Sequence, residues 1–285
     1  MTSARAISVA LMAVALTAGT IGDRPARLDP LTLGGYRVLA VDFHTHSSMW
    51  SNGTMTPWGL VLEAERQGLD AIAVTAHNQV SDGQLAQRFT RIVGGPIVIV
   101  GEEVRAAGRF HLLAVGLKDV VDFRQSAASA VDEVHRQGGI AIAAHPFSSG
   151  TSGWDDAAVH ELDGGEICHP EIFARAAGQA QLERFAARHS IAAIGSSDFH
   201  GIGQMGICRT YVFAAEASEQ GILEAVRAHR TVVFGTGDHV YGDPDLLQYA
   251  SRLRDRAPAS TSRGSALDWV SRITGLAGFA GLLCL

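Results

Sequence analysis

Short apolar segments recur along the middle of the chain, and most are separated by segments with helical periodicity. Segments of this length and composition are typical of buried strands. Repeated strand–helix units between residues 38 and 234 predict either a parallel α/β barrel or a doubly wound sheet. The predicted strands are 38–41, 71–75, 97–100, 111–116, 140–143, 165–168, 191–195, 209–213 and 231–234.

Helix starts are marked by capping residues. Thr56 supplies a capping hydroxyl and Pro57 fits the first turn, so a helix is predicted from there to Gln67-Gly68. Glycines at 138 and 139 end a second helix, and a Ser-Glu pair begins the last one. In all, three further helices are predicted, at Ser126 to Arg136, Glu171 to His189 and Ser218 to Arg227.

Polar residues repeatedly follow the predicted strands. The first strand leads into His44 and His46, whose spacing of two places both rings on one face of an extended chain. Five strand ends carry such residues, which favours a barrel with its active site on the C-terminal rim. Mixed imidazole and carboxylate ligands suit zinc, manganese or iron. The residues at the other strand ends are His77, Glu103, His145, Asp198 and His200.

Composition narrows the class of protein. The net charge of −6 and the pI near 6.0 argue against a nucleic-acid-binding surface. Three cysteines are too few and too scattered for a disulfide framework or a cysteine metal site. The Gly201-x-Gly203-x-x-Gly206 motif leads into a strand, whereas dinucleotide binding requires a helix there. No nucleic-acid partner and no nucleotide cofactor are therefore expected.

Both ends of the chain are apolar. Arg5 precedes an uncharged run from Ala6 to Gly22, which predicts an export signal or an uncleaved membrane anchor. The 13 residues from Ile273 to Leu285 predict an interfacial anchor or a docked helix. The predicted division is 1–34 for the targeting segment and linker, 35–245 for the catalytic domain and 246–285 for a helical tail. The predicted location is extracytoplasmic, either exported or membrane-anchored.

In sequence order, the motifs at the strand ends resemble those of the PHP (polymerase and histidinol phosphatase) metallohydrolase family. The chain is most similar to its carbaryl hydrolase-like branch through Gly-Glu-Glu-Val at 101–104, the strand at 208–213 and the helix and strand at 222–231. The motifs are His44-x-His46, Thr75-x-His77, Gly101-x-Glu103, His111, Ala144-His145-Pro146 and Ser197-Asp198-x-His200.

This resemblance implies a distorted (β/α)7 TIM-like barrel of PHP type with two or three divalent metals on its rim. One metal would take His44, His46, Glu103 and Asp198. Glu103 would bridge to a second metal that also takes His111 and His145. A third would take His77, His200 and a residue from the loop after the first strand. Glu102 is a weaker substitute for Glu103, and Asp42 is a candidate for orienting the histidine pair.

Two departures from the family pattern bear on the third metal. Asn52 stands where family members commonly carry an acidic residue or histidine, and Ala76 stands where an acidic residue is usual. A neutral asparagine oxygen would hold a metal less tightly than a carboxylate. We therefore favour two metals over three, in which case His77 and His200 would serve as acid–base or oxyanion-stabilising groups.

The expected reaction is hydrolysis by a metal-activated water, with His77, His200 and Asp198 as catalytic residues. Arg209 and His169 are the candidate substrate-binding residues, and Glu166 is a weaker one. The preferred substrate is a small phosphate ester. A carboxylic ester, carbamate or amide is the alternative, because the same site serves both chemistries. A non-catalytic metal-binding envelope protein is the alternative of another class, with membrane association through the ends of the chain.

Overall fold

The computed structural model describes residues 3–22, 29–106, 110–148, 154, 156–170, 181–182, 184–185, 188–235, 239–254 and 266–284. The chain divides into two units, residues 29–257 and a helical unit formed by the two ends. The predicted helix at 171–189 lies largely outside the described residues. The predicted divisions at 34/35 and 245/246 stay predictions.

One mixed sheet forms the larger unit. Its strands are β1 (Leu31–Leu33), β2 (Tyr36–Thr45), β3 (Ala71–His77), β4 (Ile97–Ala106), β5 (Phe110–Val115), β6 (Ile140–Ala143), β7 (Gly164–Cys168), β8 (Ala192–Gly195), β9 (Thr210–Ala214), β10 (Thr231–Phe234) and β11 (Val240–Gly242). Their order is β11-β10-β9-β2-β3-β4-β5-β6-β7-β8, and β1 pairs with β2.

The sheet is not wholly parallel. Pairs β2–β3, β3–β4, β6–β7 and β7–β8 are parallel, whereas β5 and β9 run antiparallel to both of their neighbours. Only residues 107–109 separate β4 from β5, and a parallel crossover needs a dozen or more residues. The reversal of β5 and β9 is what distorts the barrel relative to regular strand–helix repetition.

Two connections bring the sheet close to closure. On the rim, the backbone N–H of His46 donates to Phe199 O at 2.8 Å, and Phe199 N–H donates to His44 O at 3.2 Å. Deeper in the barrel, Thr210 bonds both backbone groups of Gly195 through its hydroxyl, at 2.8 and 2.9 Å. The segment after β8 is thereby attached to β2 and β9, as the predicted TIM-like barrel requires.

The helices cover the outside of the barrel. Thr56, Ser126 and Ser218 each cap the helix that follows with a side-chain oxygen, and the cap at Thr56 was predicted from the sequence. The helices of the larger unit are α2 (Pro57–Arg66), α3 (Ser81–Val93), α4 (Ala127–Arg136), α5 (Asp156–His160), α6 (Glu219–Arg227) and α7 (Ala250–Arg254). A short 3₁₀ helix spans Leu247–Tyr249.

The core consists of buried aliphatic side chains on both faces of the sheet. One cluster contains Val41, Phe43, Ile99 and Ile142, and Ile222 of α6 belongs to the same cluster. Each of these five side chains is fully buried. Removing apolar surface from water contributes about 25 cal/mol per Å², so this burial stabilises the packing of the strands. The polar residues at the strand ends are therefore attached to a well-packed core.

Candidate metal centre

Strand register sets the spacing of the site. His77 at the end of β3 is paired directly with Glu103 on β4. Because β5 is antiparallel to β4, its first residues lie at the same rim, and His111 is paired with Arg105. The hairpin thus brings an imidazole to the edge where the parallel strands end.

Glu103 lies at the centre of the cluster, and its two oxygen atoms face different histidines. Oε1 lies 2.8 Å from Nδ1 of His111 and 3.3 Å from Nε2 of His145. Oε2 lies 2.8 Å from Nδ1 of His77 and 3.6 Å from Nε2 of both His44 and His46. The carboxylate therefore stands between two sets of ring nitrogens.

Asp198 approaches the histidine pair from the segment that follows β8. Its Oδ1 atom lies 2.9 Å from Nε2 of His46 and 3.2 Å from Nε2 of His44. Burial alone would raise the pKa of Asp198, but the nearby imidazoles of His44 and His46 outweigh it and lower the pKa. Asp198 has φ of 49°, a left-handed conformation that is uncommon for non-glycine residues.

Several of the nitrogen and oxygen atoms in this cluster lack a hydrogen-bond partner among the described residues. They are buried, although carboxylate oxygens lie within ion-pair distance. A buried polar atom without a partner costs about 1–3 kcal/mol, so several together need a ligand that satisfies them at once. These atoms are His44 Nε2, His46 Nε2, His77 Nδ1, His111 Nδ1 and Asp198 Oδ1.

Four overlapping sets of three residues bring their donor atoms within 4.8 Å of one another. Imidazole and carboxylate donors at such separations fit zinc, manganese or iron. Burial lowers the pKa of His46 to about 4, so this ring is neutral at pH 7, as a metal ligand must be. The sets are His44–His46–Asp198, Glu103–His111–His145, His46–His77–His200 and His44–His145–His169.

Glu166 contacts two of the histidines, His44 through its ring and His145 through its backbone. Its Oε1 atom lies 3.0 Å from Nδ1 of His44, and its Oε2 accepts a hydrogen bond from the backbone N–H of His145. Burial alone would raise the pKa of Glu166, but the neighbouring imidazoles of His44 and His169 outweigh it and lower the pKa to about 2. The sequence had suggested Glu166 only as a weaker candidate for substrate binding. Its signal was a carboxylate inside an apolar strand.

Asp42 holds the backbone of the site together. It accepts hydrogen bonds from the backbone N–H groups of His44, Ser197 and Gly206 and from the Ser197 hydroxyl. A register shift in the β2–β3 ladder falls between Asp42 and Thr45. Such an irregularity re-aims the side chains that follow it.

Asn52 lies beside one of these sets of donors, the one formed by His46, His77 and His200. Its Oδ1 atom is 2.9 Å from Nε2 of His77 and 2.9 Å from Nε2 of His200. The loop that carries it passes close to the strand, because a Cβ on Gly53 would collide with the carbonyl oxygen of His46. The sequence predicted a residue of this loop beside His77 and His200, and the structure puts Asn52 there.

Ala76 and Glu102 lie on the other face of the sheet. They are paired in register, and both are buried. Oε1 of Glu102 accepts a hydrogen bond of 2.6 Å from the backbone N–H of Val121, and burial raises the pKa of Glu102 to about 8. An acidic residue at position 76 would face Glu102 rather than the histidines.

The two predicted substrate-binding residues have different surroundings. His169 is buried within the cluster, with Nε2 3.7 Å from Oδ2 of Asp198. Arg209 donates instead to backbone carbonyls, from Nε to Gly206 at 2.9 Å and from Nη1 to Gln67 at 3.0 Å. The structure therefore brings His169 to the site, while the guanidinium of Arg209 is bound to backbone carbonyls.

Arg105 is a cation at the rim that the sequence reasoning did not single out. Its Nη1 atom lies 3.2 Å from Nε2 of His77, and the side chain is exposed. The spacing could have identified Arg105, because Glu103 and Arg105 are two residues apart on a strand and therefore share a face.

Comparisons with known proteins agree with this architecture. A family model described as PHP-associated matches residues 180–231. A two-domain protein of Bacteroides vulgatus, which contains a predicted PHP-like metal-dependent phosphoesterase, is 27% identical with a TM-score of 0.64. The match covers 79% of this chain and 72% of that chain.

Two further matches are more distant. PsfC of Pseudomonas syringae has a TM-score of 0.51 at 18% identity, covering 76% of this chain and 98% of that chain, and shares the fold. An uncharacterised protein of Methanocaldococcus jannaschii is 26% identical over 92 residues, 32% of this chain. This chain spans about half (53%) of that relative's length. The predicted distorted TIM-like barrel of PHP type is confirmed. The assignment to the carbaryl hydrolase-like branch stays a prediction.

Proposed function

We propose that this chain is a metal-dependent hydrolase that acts on small phosphate esters. The observation that carries the proposal is the position of Glu103, whose two oxygens face separate sets of histidines. A carboxylate placed in this way suits two metals about 3.5–4 Å apart. The likeness to the Bacteroides vulgatus protein supports the same class of reaction.

The residues for each metal follow from the sets of converging donors. We assign His44, His46, Asp198 and Glu103 to one ion, and Glu103, His111 and His145 to a second. His77 and His200 would hold a third ion together with the neutral oxygen of Asn52, which would bind it more weakly than a carboxylate. Two or three ions of zinc, manganese or iron would supply Lewis-acid chemistry, lowering the pKa of water from 15.7 towards about 7.

The chain's own residues orient the donors and handle the proton. Glu166 accepts the Nδ1–H of His44, which leaves the Nε2 lone pair facing Asp198 and Glu103. His77 and His200 lie at the more exposed edge of the cluster, where a leaving group can depart. If two ions suffice, these rings would donate the proton that the leaving group needs.

Arg105 favours a phosphate ester over a neutral ester. Its guanidinium stands beside His77 on the rim, where a substrate must enter. Arginine binds phosphate oxygens through two parallel N–H bonds, whereas a neutral carboxylic ester offers no charge to match. We therefore assign the binding of the substrate anion to Arg105 together with His169.

A substrate panel tests the proposal. The purified full-length protein is assayed with p-nitrophenyl phosphate, bis(p-nitrophenyl) phosphate and p-nitrophenyl acetate, with and without a chelator. We expect turnover of a phosphate ester that the chelator and the Asp198→Ala variant both abolish. Turnover of the acetate alone would establish the carboxylic ester alternative. Full metal content without turnover of any ester would support the non-catalytic alternative.

A further inference from the structure

The two ends of the chain form an antiparallel helix pair, α1 (Ser3–Gly22) and α8 (Ala266–Leu283). A Cβ on Gly19 would lie 2.8 Å from Oγ of Ser271. Further along, a Cβ on Gly278 would lie 2.8 Å from the carbonyl oxygen of Ser8. Residue numbers rise along α1 as they fall along α8, so the helices run in opposite directions.

Small residues fill the interface between these helices. Gly275, Gly278 and Gly281 lie three residues apart on α8, and each faces α1. Ala15 is only 7% exposed, and its carbonyl oxygen accepts a hydrogen bond of 2.8 Å from the Ser271 hydroxyl. Close approach through glycine, alanine and serine is typical of helix pairs in membranes.

Large apolar residues occupy the outer faces. Leu16 is 69% exposed on α1, and Leu276 is 72% exposed on α8. In a water-soluble helix pair the large apolar side chains face inwards and the polar ones outwards, because water drives their burial. This pair has the reverse arrangement. The other large apolar residues that are exposed on these helices are Ile7, Val9, Val14, Leu267, Trp269, Val270, Ile273, Phe279, Leu282 and Leu283.

The length of α1 matches a bilayer, whereas the apolar part of α8, Trp269–Leu283, is shorter. The 18 residues from Ser3 to Thr20 are apolar enough to cross a membrane by length and composition, and they rise about 27 Å against a hydrocarbon thickness of about 30 Å. The hydroxyls of Thr17 and Thr274 donate to carbonyls of their own helices. Arg272 lies over the Trp269 ring at 5.6 Å, in the first turns of α8, as in an interfacial belt.

We propose that α1 and α8 together form a two-helix transmembrane anchor whose outer faces contact lipid acyl chains. The packing against α8 favours retention of α1 in the mature protein over its removal as a signal. It also gives the C-terminal apolar segment a partner, which compensates for its short length. The last residue of α1 and the first residue of α8 lie at the same end of the pair, because the helices are antiparallel.

Membrane extraction tests retention. The full-length protein is expressed in bacteria, and isolated membranes are washed with alkaline carbonate before intact-mass measurement. We expect the protein to stay in the membrane pellet, to need detergent for release, and to contain residues 3–22. Recovery in the soluble fraction, or a mature mass that lacks α1, would overturn the proposal.

Cysteine pairs test the packing. In a Cys284→Ser background, Gly19→Cys with Ser271→Cys is compared in membranes with Leu16→Cys plus Leu276→Cys, whose parent side chains face outwards. We expect a disulfide within one chain for the first pair and none within one chain for the second. Equal cross-linking of both pairs, or cross-linking only between chains, would contradict the antiparallel pair.

The arginines that flank the anchor predict its orientation. Arg5 lies near one end, whereas Arg24 and Arg27 follow α1 at the end that leads to the barrel. Basic residues are retained on the cytoplasmic side, so the barrel is expected there, the reverse of the extracytoplasmic location predicted from the sequence. An impermeant maleimide should label Cys284, the exposed cysteine near the other end, in intact cells. Labelling only after lysis would reverse the orientation.

Discussion

Nδ1 of His44 lies 3.0 Å from Oε1 of Glu166, on the side of the ring away from Asp198 and Glu103. Both residues are fully buried. The contact fixes the tautomer of His44, because a proton on Nδ1 leaves the Nε2 lone pair for a metal. Glu166 on one side of the His44 ring thus keeps Nε2, on the other side, in the form that can bind a metal.

Removing the charge of Glu166 should weaken metal binding without unfolding the barrel. Glu166→Gln keeps the size of the side chain but makes it a poorer acceptor for His44. We expect metal affinity to fall about 10- to 100-fold, measured by competition with a chromogenic chelator. Glu224→Gln, at an exposed surface pair with Arg230, is the matched control and should have no effect. Equal affinities in both variants would remove Glu166 from the site.

Asn52→Asp should strengthen the set that contains His77 and His200. The substitution replaces a neutral oxygen, 2.9 Å from both rings, by a charged one. We expect the metal content after reconstitution to rise by about one ion per chain, because a hard carboxylate suits divalent cations better than an amide. Asn78→Asp is the control, since Oδ1 of Asn78 accepts the backbone N–H of Arg105. A similar rise in the control would assign the gain to charge alone.

Substitution of Arg105 should affect KM, whereas substitution of Arg209 should affect thermal stability. Arg105→Gln should raise the KM for a phosphate ester by about 10-fold or more, because a charge-assisted hydrogen bond contributes roughly 1.5–3 kcal/mol. Arg209→Gln should lower the thermal midpoint and leave KM unchanged, since its guanidinium bonds two backbone carbonyls. Steady-state kinetics and thermal melts of both variants distinguish the two. An effect on KM from Arg209 alone would restore the role that the sequence predicted for it.

The pair formed by His135 and Asp163 should make stability depend on pH. The hydrogen bond to Asp163, 2.9 Å long, raises the pKa of His135. The stabilisation is therefore complete below the ordinary histidine pKa of about 6.5 and is lost as pH rises through the raised value. His135→Ala should lower the urea midpoint more at pH 5.5 than at pH 9.

A second substitution provides the control for that pair. In an Asp163→Asn background, His135→Ala should shift the midpoint equally at both pH values. A shift that still varies with pH would show that another group titrates with His135.

The strand ends could be predicted from the sequence, because polar residues interrupt strongly apolar segments at regular positions. His44, His77 and Asp198 were found in this way, and the barrel brings them together as expected. The reversed directions of β5 and β9 were not predicted, because apolar segments carry no sign of strand direction. The short gap between β4 and β5 was the available clue.

Residues that act behind or beside the donors were harder to predict. Glu166 lies within a strand rather than after it, and its role depends on the ring of His44 that it meets in the fold. Arg105 lay beyond the motif that drew attention to Glu103. The pairing of α1 with α8 joins segments some 250 residues apart, and only the alignment of small residues in space reveals it.

Elemental analysis of wild-type protein beside Glu103→Ala tests the metal centre most directly. Glu102→Gln is the matched control, because Glu102 faces away from the cluster and its pKa of about 8 keeps it largely protonated at pH 7. We expect about two or more ions per reconstituted chain in the wild type and the control, and fewer than about one in Glu103→Ala. A wild type without bound metal, or a Glu103→Ala variant with the full content, would contradict it.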